Sequence, residues 1–441
     1  MAISTVVKSP ASRTTRLLTR VTCPHCWHRF APQDALWIAQ HPELVNDERL
    51  GEGHPQRFLP SRFNPAGAAI DARGFACNDL ACPNCHLAIP RALFQLPPFF
   101  VSILGAPASG KSYLLASMVW TLRKVLPKYF AIAFGDADPR FNHLLNEYEE
   151  LQFLNPDQDK LVYIRKTEEQ GDLYNEVNMG GHSIRFPHPF VFHLKPLDRH
   201  PGAKDPNVQG CVLCLYDNAG ESFLPGADRG ANQVTRHLGH SAALLFLFDP
   251  TQDLRFRRAC EGKSADPQMT ARTERTEREK AVRQDIILQE ATERIRRQVG
   301  LAYGKKHLRP LIVIVTKFDC WSSLLGDVPL PSPLVASKSA DIHGLNLSVL
   351  EQVSARLRAV LWELTPEIVS TAEAFAENVL YVPVSAIGRS PEVDPETKKL
   401  AVRPRDIQPH WTEMPLLYVF AAFTAGLVPW KKSRSPSDPA R

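Results

Sequence analysis

Apolar positions along the chain fall into three textures. The first is a series of short apolar runs ended by Gly, Pro or Asp, at residues 99–104, 129–136, 211–216, 242–250, 311–319 and 378–388. Runs of this length, closed by turn residues, predict buried strands. Residues 242–250 (AALLFLFDP) are almost continuously apolar, as a central parallel strand covered on both faces requires. The second texture places apolar residues three and four apart. It occurs in LLASMVWTLRKVL after residue 113, in 141–153, in 345–364 and in MPLLYVFAAFTAGLV near the end, and predicts helices. Strands that alternate with helices predict an α/β fold with a doubly wound, mostly parallel sheet. Prolines in RFPHPFVFHLKPL (185–197) predict an edge strand. Residues 255–298 mix acids and bases and predict one long, largely solvated helix. The third texture, residues 21–96, is Gly- and Pro-rich and poor in apolar periodicity.

These textures divide the chain into a disordered tail (1–20), a small module (21–96), a large α/β domain (97–430) carrying a charged helical insertion at 255–300, and a second tail (431–441). A chain of 441 residues accommodates this. The net charge of +5 is spread out, so by itself it is not the footprint of a nucleic-acid-binding surface; Arg29, Arg57, Arg62, Arg73 and Arg91 of the small module, set among several acids, leave nucleic acid as a weaker rival partner. No secretory leader pattern stands at the start. The longest apolar run, 416–428, is too short to span a bilayer. A cytoplasmic protein without a transmembrane segment is the expectation.

The cysteines change the picture of the small module. Cys23 and Cys26 form one C-x-x-C pair (CPHC), and Cys82 and Cys85 another (CPNC). Each pair can offer two thiolates, and four thiolates make a closed tetrahedral site for a structural Zn²⁺. His25 and His86 are adjacent alternative ligands, and Cys77 is a spare. The interval between the pairs exceeds ribbon spacing, so an insertion is expected there, a loop with one short hairpin. Metal binding would contribute about 10 kcal/mol or more to folding a segment this poor in apolar residues. As an independent module, it would unfold on metal removal and leave the remainder intact. Cys211 and Cys214 form a third pair on a strand, where an odd offset sends them to opposite faces as buried thiols.

The most informative stretch is FFVSILGAPASGKSY, residues 99–113. An apolar strand meets Gly105, the pattern G-x-x-x-x-G-K-S runs to Ser112, and a helix follows. In that context the backbone amides of Ala108, Ser109, Gly110, Lys111, Ser112 and Tyr113 can wrap phosphate oxygens beside a positive helix N-terminus. Lys111 would reach the β- and γ-phosphates, and the Ser112 hydroxyl would ligate Mg²⁺. Gly105 and Gly110 allow close approaches and backbone angles that a Cβ would forbid. Pro107 removes one possible donor.

Three further segments end strands. Asp217-Asn218-Ala219-Gly220 is a D-x-x-G in which Asp217 can hold Mg²⁺ and the Gly220 amide can sense a γ-phosphate. Thr316-Lys317-Phe318-Asp319 places a carboxylate that can accept from guanine N1–H and its exocyclic amine. Adenine would leave that carboxylate unsatisfied, at about 1–3 kcal/mol. Ser385-Ala386-Ile387 can present a backbone amide to guanine O6. All lie at carboxyl ends of strands, where open α/β sheets bind ligands.

This ordered set resembles the Ras-like and translation-factor superfamily of P-loop GTPases over roughly residues 99–388. The resemblance implies a P-loop NTPase sheet, GTP and GDP as ligands, Mg²⁺, and Lys111, Gly220 and Glu221 as catalytic residues. Glu221 stands where many such GTPases carry the water-orienting Gln, which implies slow turnover. Thr316 stands where the family usually has Asn, which bears on the guanine contacts. Thr167 is the candidate switch threonine for Mg²⁺. With the cysteine pairs and the tail RPRDIQPHW…PLLYVF, the chain further resembles the bacterial double-GTPase family with an N-terminal zinc ribbon. That implies a second GTPase or associated proteins as partners, in a conflict or defence system. The rival expectations are a nucleotide-sensing scaffold without useful hydrolysis and a P-loop ATPase.

Overall fold

The computed structural model describes residues 17–164, 173–217, 235–270, 283–326, 329–336 and 342–431. Seven strands form its main sheet: β1 (Pro98–Gly105), β2 (Ile132–Asp136), β3 (Phe190–Pro196), β4 (Cys211–Asp217), β5 (Ala243–Phe248), β6 (Leu311–Val315) and β7 (Val379–Pro383). Their spatial order is β2-β3-β4-β1-β5-β6-β7. The pairs from β4 through β7 are parallel, and β3 alone runs against both neighbours. The fold is therefore mixed α/β with a mostly parallel sheet. From β1 the chain moves out to β2 and returns through β3 to β4. It then crosses to the far side of β1 and continues outward through β7. This reversal puts a crevice at the carboxyl ends of the central strands.

Side chains alternate between the faces of these strands. Val101, Ile103, Leu213, Leu215 and Leu245 face α1 (Lys111–Phe130) and a C-terminal helix (Met414–Phe423), where Leu115, Leu122, Leu417 and Phe420 complete the core. The opposite face has two covers. Over β5 and β6, the helices Gln284–Val299 and Pro366–Phe375 bury Ile287, Leu288, Val369 and Phe375 against Phe246 and Val313. Over β3 and β4, the cysteine module itself is the cover, with Trp27, Phe30, Leu93 and Phe94 against Val191, Val212, Cys214 and Tyr216.

Several expectations are corrected. The segment 185–197 is not an edge strand. Pro187 and Pro189 lie outside β3, and Pro196 is its last residue, so no ladder donor is missing inside it. The edge is β2, which starts at Ile132 because α1 continues to Phe130 and closes on Ala131 in the left-handed region. The charged stretch is not one helix. Helices cover Leu254–Ala259, Pro267–Thr270 and Gln284–Val299, and the last is packed on the sheet through Ile287, Leu288, Ala291 and Ile295. The insertion between the cysteine pairs holds two hairpins, Val45–Asp47 with Gly51–Pro55 and Ala69–Ile70 with Ala76–Cys77. Residues 17–20 are placed, and Leu18 N–H donates to the Phe94 carbonyl. Lys431 pairs with the strand His343–Asn346. Residues 1–16 and 432–441 lie outside the described residues. Cys211 and Cys214 take opposite faces, as their offset dictates. Among the described residues no helix is long and apolar enough to cross a membrane.

Candidate functional site

The two C-x-x-C pairs fold into like knuckles. In one, Trp27 N–H donates to Cys23 O and Cys23 N–H to His28 O; in the other, His86 N–H donates to Cys82 O and Cys82 N–H to Leu87 O. Each turn needs a residue of positive φ after its second cysteine, met by Trp27 (56°) and His86 (61°). The folds bring four thiols together, all within 4.8 Å of one another. Cys23 and Cys85 Sγ are 3.7 Å apart, as are Cys26 and Cys82 Sγ. A tetrahedron with metal–sulfur bonds of about 2.3 Å has sulfur–sulfur edges of about 3.8 Å, so the group fits a metal ion such as zinc. Amides point at the sulfurs: His25 N–H at Cys23, Asn84 N–H at Cys82, and the Asn84 side chain at Cys26, each at 3.4 Å.

The alternatives are resolved. The His25 ring lies between the carbonyls of Pro187 (3.3 Å) and Ala88 (3.2 Å). His86 Nδ1 is 2.9 Å from the Asp47 carboxylate. Cys77 donates toward Asp71 and lies outside the thiol group.

At the carboxyl end of β1, the loop is shaped for close approach. A Cβ on Gly105 would come within 2.9 Å of Leu247 O. Ala108 (φ 57°) and Gly110 (φ 88°) are in the left-handed region, which costs alanine about 1–2 kcal/mol. Gly110 caps α1 without a side-chain hydrogen bond. Lys111 Nζ turns back to donate to the carbonyls of Gly105 (3.2 Å) and Ala106 (2.9 Å). Ser109 Oγ is buried and makes no hydrogen bond among the described residues. A buried hydroxyl with no hydrogen bond among the described residues and an ammonium folded back beside a helix N-terminus together suit an anion.

This loop opens into a cavity of about 370 Å³. Its wall brings together Ala108 to Tyr113 from the loop, Thr316, Lys317 and Asp319 after β6, and Ser385 and Ala386 after β7. Asp319 Oδ1 is hydrogen-bonded to the Ser385 hydroxyl, which also accepts from Gly388 N–H at 2.8 Å. Burial pushes the Asp319 carboxyl above its ordinary value, with the Ser385 bond opposing. Lys317 (φ 55°) reaches Asp249 at 2.7 Å, Thr251 at 2.9 Å and Gln268 at 2.7 Å. Thr316 directs its hydroxyl to Phe248 O at 3.2 Å, tying β6 to β5. Ala386 O accepts from Ser117 of α1 at 2.7 Å.

The motifs do not all meet there. Asp217 is buried at the end of β4, level with Ile103 of β1, and is not part of the described cavity wall. Thr167, Gly220 and Glu221 lie outside the described residues. Conversely, residues that no motif singled out are in the wall: Asp266, Gln268, Tyr163, Ile164, Arg389 and Lys399. Asp266 and Gln268 come from the interrupted charged stretch. Cys320 Sγ donates to Asp266 at 3.0 Å, and Gln268 N–H to its other oxygen at 2.6 Å. A D-P-Q sequence starting a one-turn helix is the faint local signal for them. Tyr163 and Lys399 had none, because their proximity is created by the fold.

Compared with models of known protein families and with curated proteins, the chain gives no match.

Proposed function

We propose that this chain is a guanine-nucleotide-binding protein that hydrolyses GTP slowly and acts as a nucleotide-dependent switch. The observation that carries the reading is the shared cavity. One wall joins an anion-shaped loop to a half-buried carboxylate braced by a serine, at the carboxyl ends of the parallel strands β1, β6 and β7. The loop amides and Lys111 would take the phosphates, with Lys111 exchanging its bonds to Gly105 O and Ala106 O for phosphate oxygens. Asp319, oriented by Ser385, would accept from guanine N1–H and its amine. The Ala386 amide would donate to O6. Ser112 and Asp217 would hold Mg²⁺, which neutralises phosphate charge. The four thiols would hold Zn²⁺ as a structural ion. The partner fitting this reading is a protein, a second GTPase, engaged according to the nucleotide bound.

The experiment is a single-turnover assay on purified protein with Mg²⁺, preceded by equilibrium binding of a fluorescent GDP analogue. The reading expects micromolar or tighter binding and hydrolysis above the rate of GTP in buffer. Tight binding with no added hydrolysis leaves a guanine-nucleotide sensor in place of an enzyme. Absence of binding removes the site.

A further inference from the structure

The motifs account for the phosphates and for one edge of a base. They assign nothing to the flat faces of the nucleoside. Beside the polar Asp266, Gln268, Arg389 and Lys399, part of the remaining cavity wall is apolar: Tyr163, Ile164, Leu400 and Val402 are aromatic or aliphatic. They come from two segments far apart in sequence. One precedes residue 165. The other is a small hairpin in which Glu392–Val393 pairs with Leu400–Ala401.

The two segments are sewn together. Val162 and Val402 exchange both backbone hydrogen bonds at 2.9 Å. Arg403 donates to Asp159 O at 2.6 Å and pairs with Glu392 at 3.1 Å. Arg389, at the hairpin's base, pairs with Asp406 at 2.6 Å. On the α1 side, Ile164 N–H donates to the Tyr113 hydroxyl at 3.0 Å. The result is a collar running from the start of α1, through residues 162–164, to the hairpin. Lys399 places its ammonium 4.6 Å from the centre of the Tyr163 ring, which holds the ring by cation–π attraction.

We infer that Tyr163 is a nucleoside-contacting residue, positioned by Lys399, and that this collar covers the base or ribose of the nucleotide held by the motifs. The inference rests on the guanine-nucleotide reading above. A half-buried aromatic ring on the wall of a cavity that already holds a hydrogen-bonding edge supplies what a base face requires, since every base offers a π-surface whatever its identity. The collar therefore contributes residence time, and Asp319 contributes base choice. The division of labour is testable because the two contributions separate in different measurements.

The test measures dissociation of a fluorescent GDP analogue from the full chain with Mg²⁺, for wild type, Tyr163→Ala, Tyr163→Phe, Lys399→Ala and Lys399→Arg. Base preference is measured in parallel by GDP against ADP competition. Tyr163→Ala should speed dissociation about tenfold. Tyr163→Phe should stay near wild type. Lys399→Ala should speed dissociation by a smaller factor and Lys399→Arg should restore it, because arginine also supplies a cation for the ring. GDP-over-ADP preference should remain in all four. The positions are partly or fully exposed, and matching melting curves would show that each variant is folded. In wild type, bound nucleotide should also slow amide exchange at Leu400, Ala401 and Val402. Unchanged dissociation in Tyr163→Ala, together with unchanged exchange in the hairpin, would overturn the inference while leaving the nucleotide site standing. Failure of wild type to bind any guanine nucleotide would defeat the underlying reading instead.

Discussion

One face of the sheet is covered in two different ways, and the contrast explains much of the molecule. Over β5 and β6 the cover is helical: Gln284–Val299 and Pro366–Phe375 satisfy their own backbone bonds and press an apolar stripe onto the strands. Over β3 and β4 the cover is the cysteine module, whose strands are mostly two or three residues long. Such strands cannot sustain a stable sheet alone. Cross-linking through a metal would replace apolar mass as the source of order. The module is also no appendage. The Tyr216 hydroxyl donates to Pro24 O at 2.5 Å. Trp27 stacks on His240 with ring centres 5.1 Å apart, and His25 reaches Pro187 O. The same knuckle thus touches the strand that ends in Asp217 and the segment just before β5.

The contrast breaks most visibly when the metal is removed. Chelation, or Cys85→Ser, should remove about 10 kcal/mol of support from the module and uncover the β3–β4 face. The expected result is one coupled loss: lower melting of the whole chain and weaker Mg²⁺-nucleotide binding. This reverses the expectation of an independent module. A main transition and nucleotide affinity that survive chelation would show that the helical side stands alone.

On the opposite side of the comparison, Lys111→Ala acts only at the loop. It should lower nucleotide affinity about 100-fold or more by removing charged hydrogen bonds to phosphate, with little change in melting. Unaltered affinity would mean that the loop does not hold phosphate.

Asp319→Asn is the next largest effect. Exchanging an acceptor for a donor should cost guanine about 1–3 kcal/mol and favour xanthine nucleotides; an unmoved preference would free Asp319 of its assigned role. The carboxyl also predicts a pH dependence. Only the ionised form accepts both guanine donors, so binding holds the bound-state pKa below that of the free protein. Affinity should be flat at high pH and fall as pH drops through the raised value of the free carboxyl. The fall should begin above the ordinary aspartate value of about 3.9. A titration of GDP affinity from pH 8 downward measures it, and Asp319→Asn should flatten the curve.

The smallest expected effect sharpens the contact between the cysteine module and the sheet beneath it. Tyr216→Phe keeps the ring between Trp27 and His237 and removes one buried hydrogen bond. It should cost about 1 kcal/mol, more if Pro24 O finds no other donor. Denaturant unfolding would register it, and no change would mean that the Tyr216–Pro24 bond adds nothing to the ring packing around it.

Much of this arrangement was legible because its causes are local. Continuous apolar runs named β1, β5 and β6, since a parallel strand buried on both faces has no polar side. The cysteine knuckles were legible because a C-x-x-C turn brings its own two sulfurs together. What was not legible depends on distant partners. Prolines at the ends of β3 read as an edge signal, but an edge is decided by whether another strand arrives, and β2 does. The charged stretch reads as one solvated helix, yet residue 266 is buried beneath the cavity and the last helix packs on the sheet. Tyr163 and Lys399 meet only because a bridge joins residues 162 and 402. Asp217 was legible as a strand-end carboxylate, while its tie to the cysteine knuckle through Tyr216 was not.

The central claim is that the cavity reads a guanine base. Its most direct test is competition of GTP, GDP, ATP and ADP for a fluorescent guanine nucleotide on the full chain with Mg²⁺. The account predicts that guanine nucleotides win by about tenfold or more, equivalent to about 1.4 kcal/mol. Equal competition by adenine nucleotides would contradict it, and would leave the Asp319–Ser385 pair as a structural bond beneath a general nucleotide pocket.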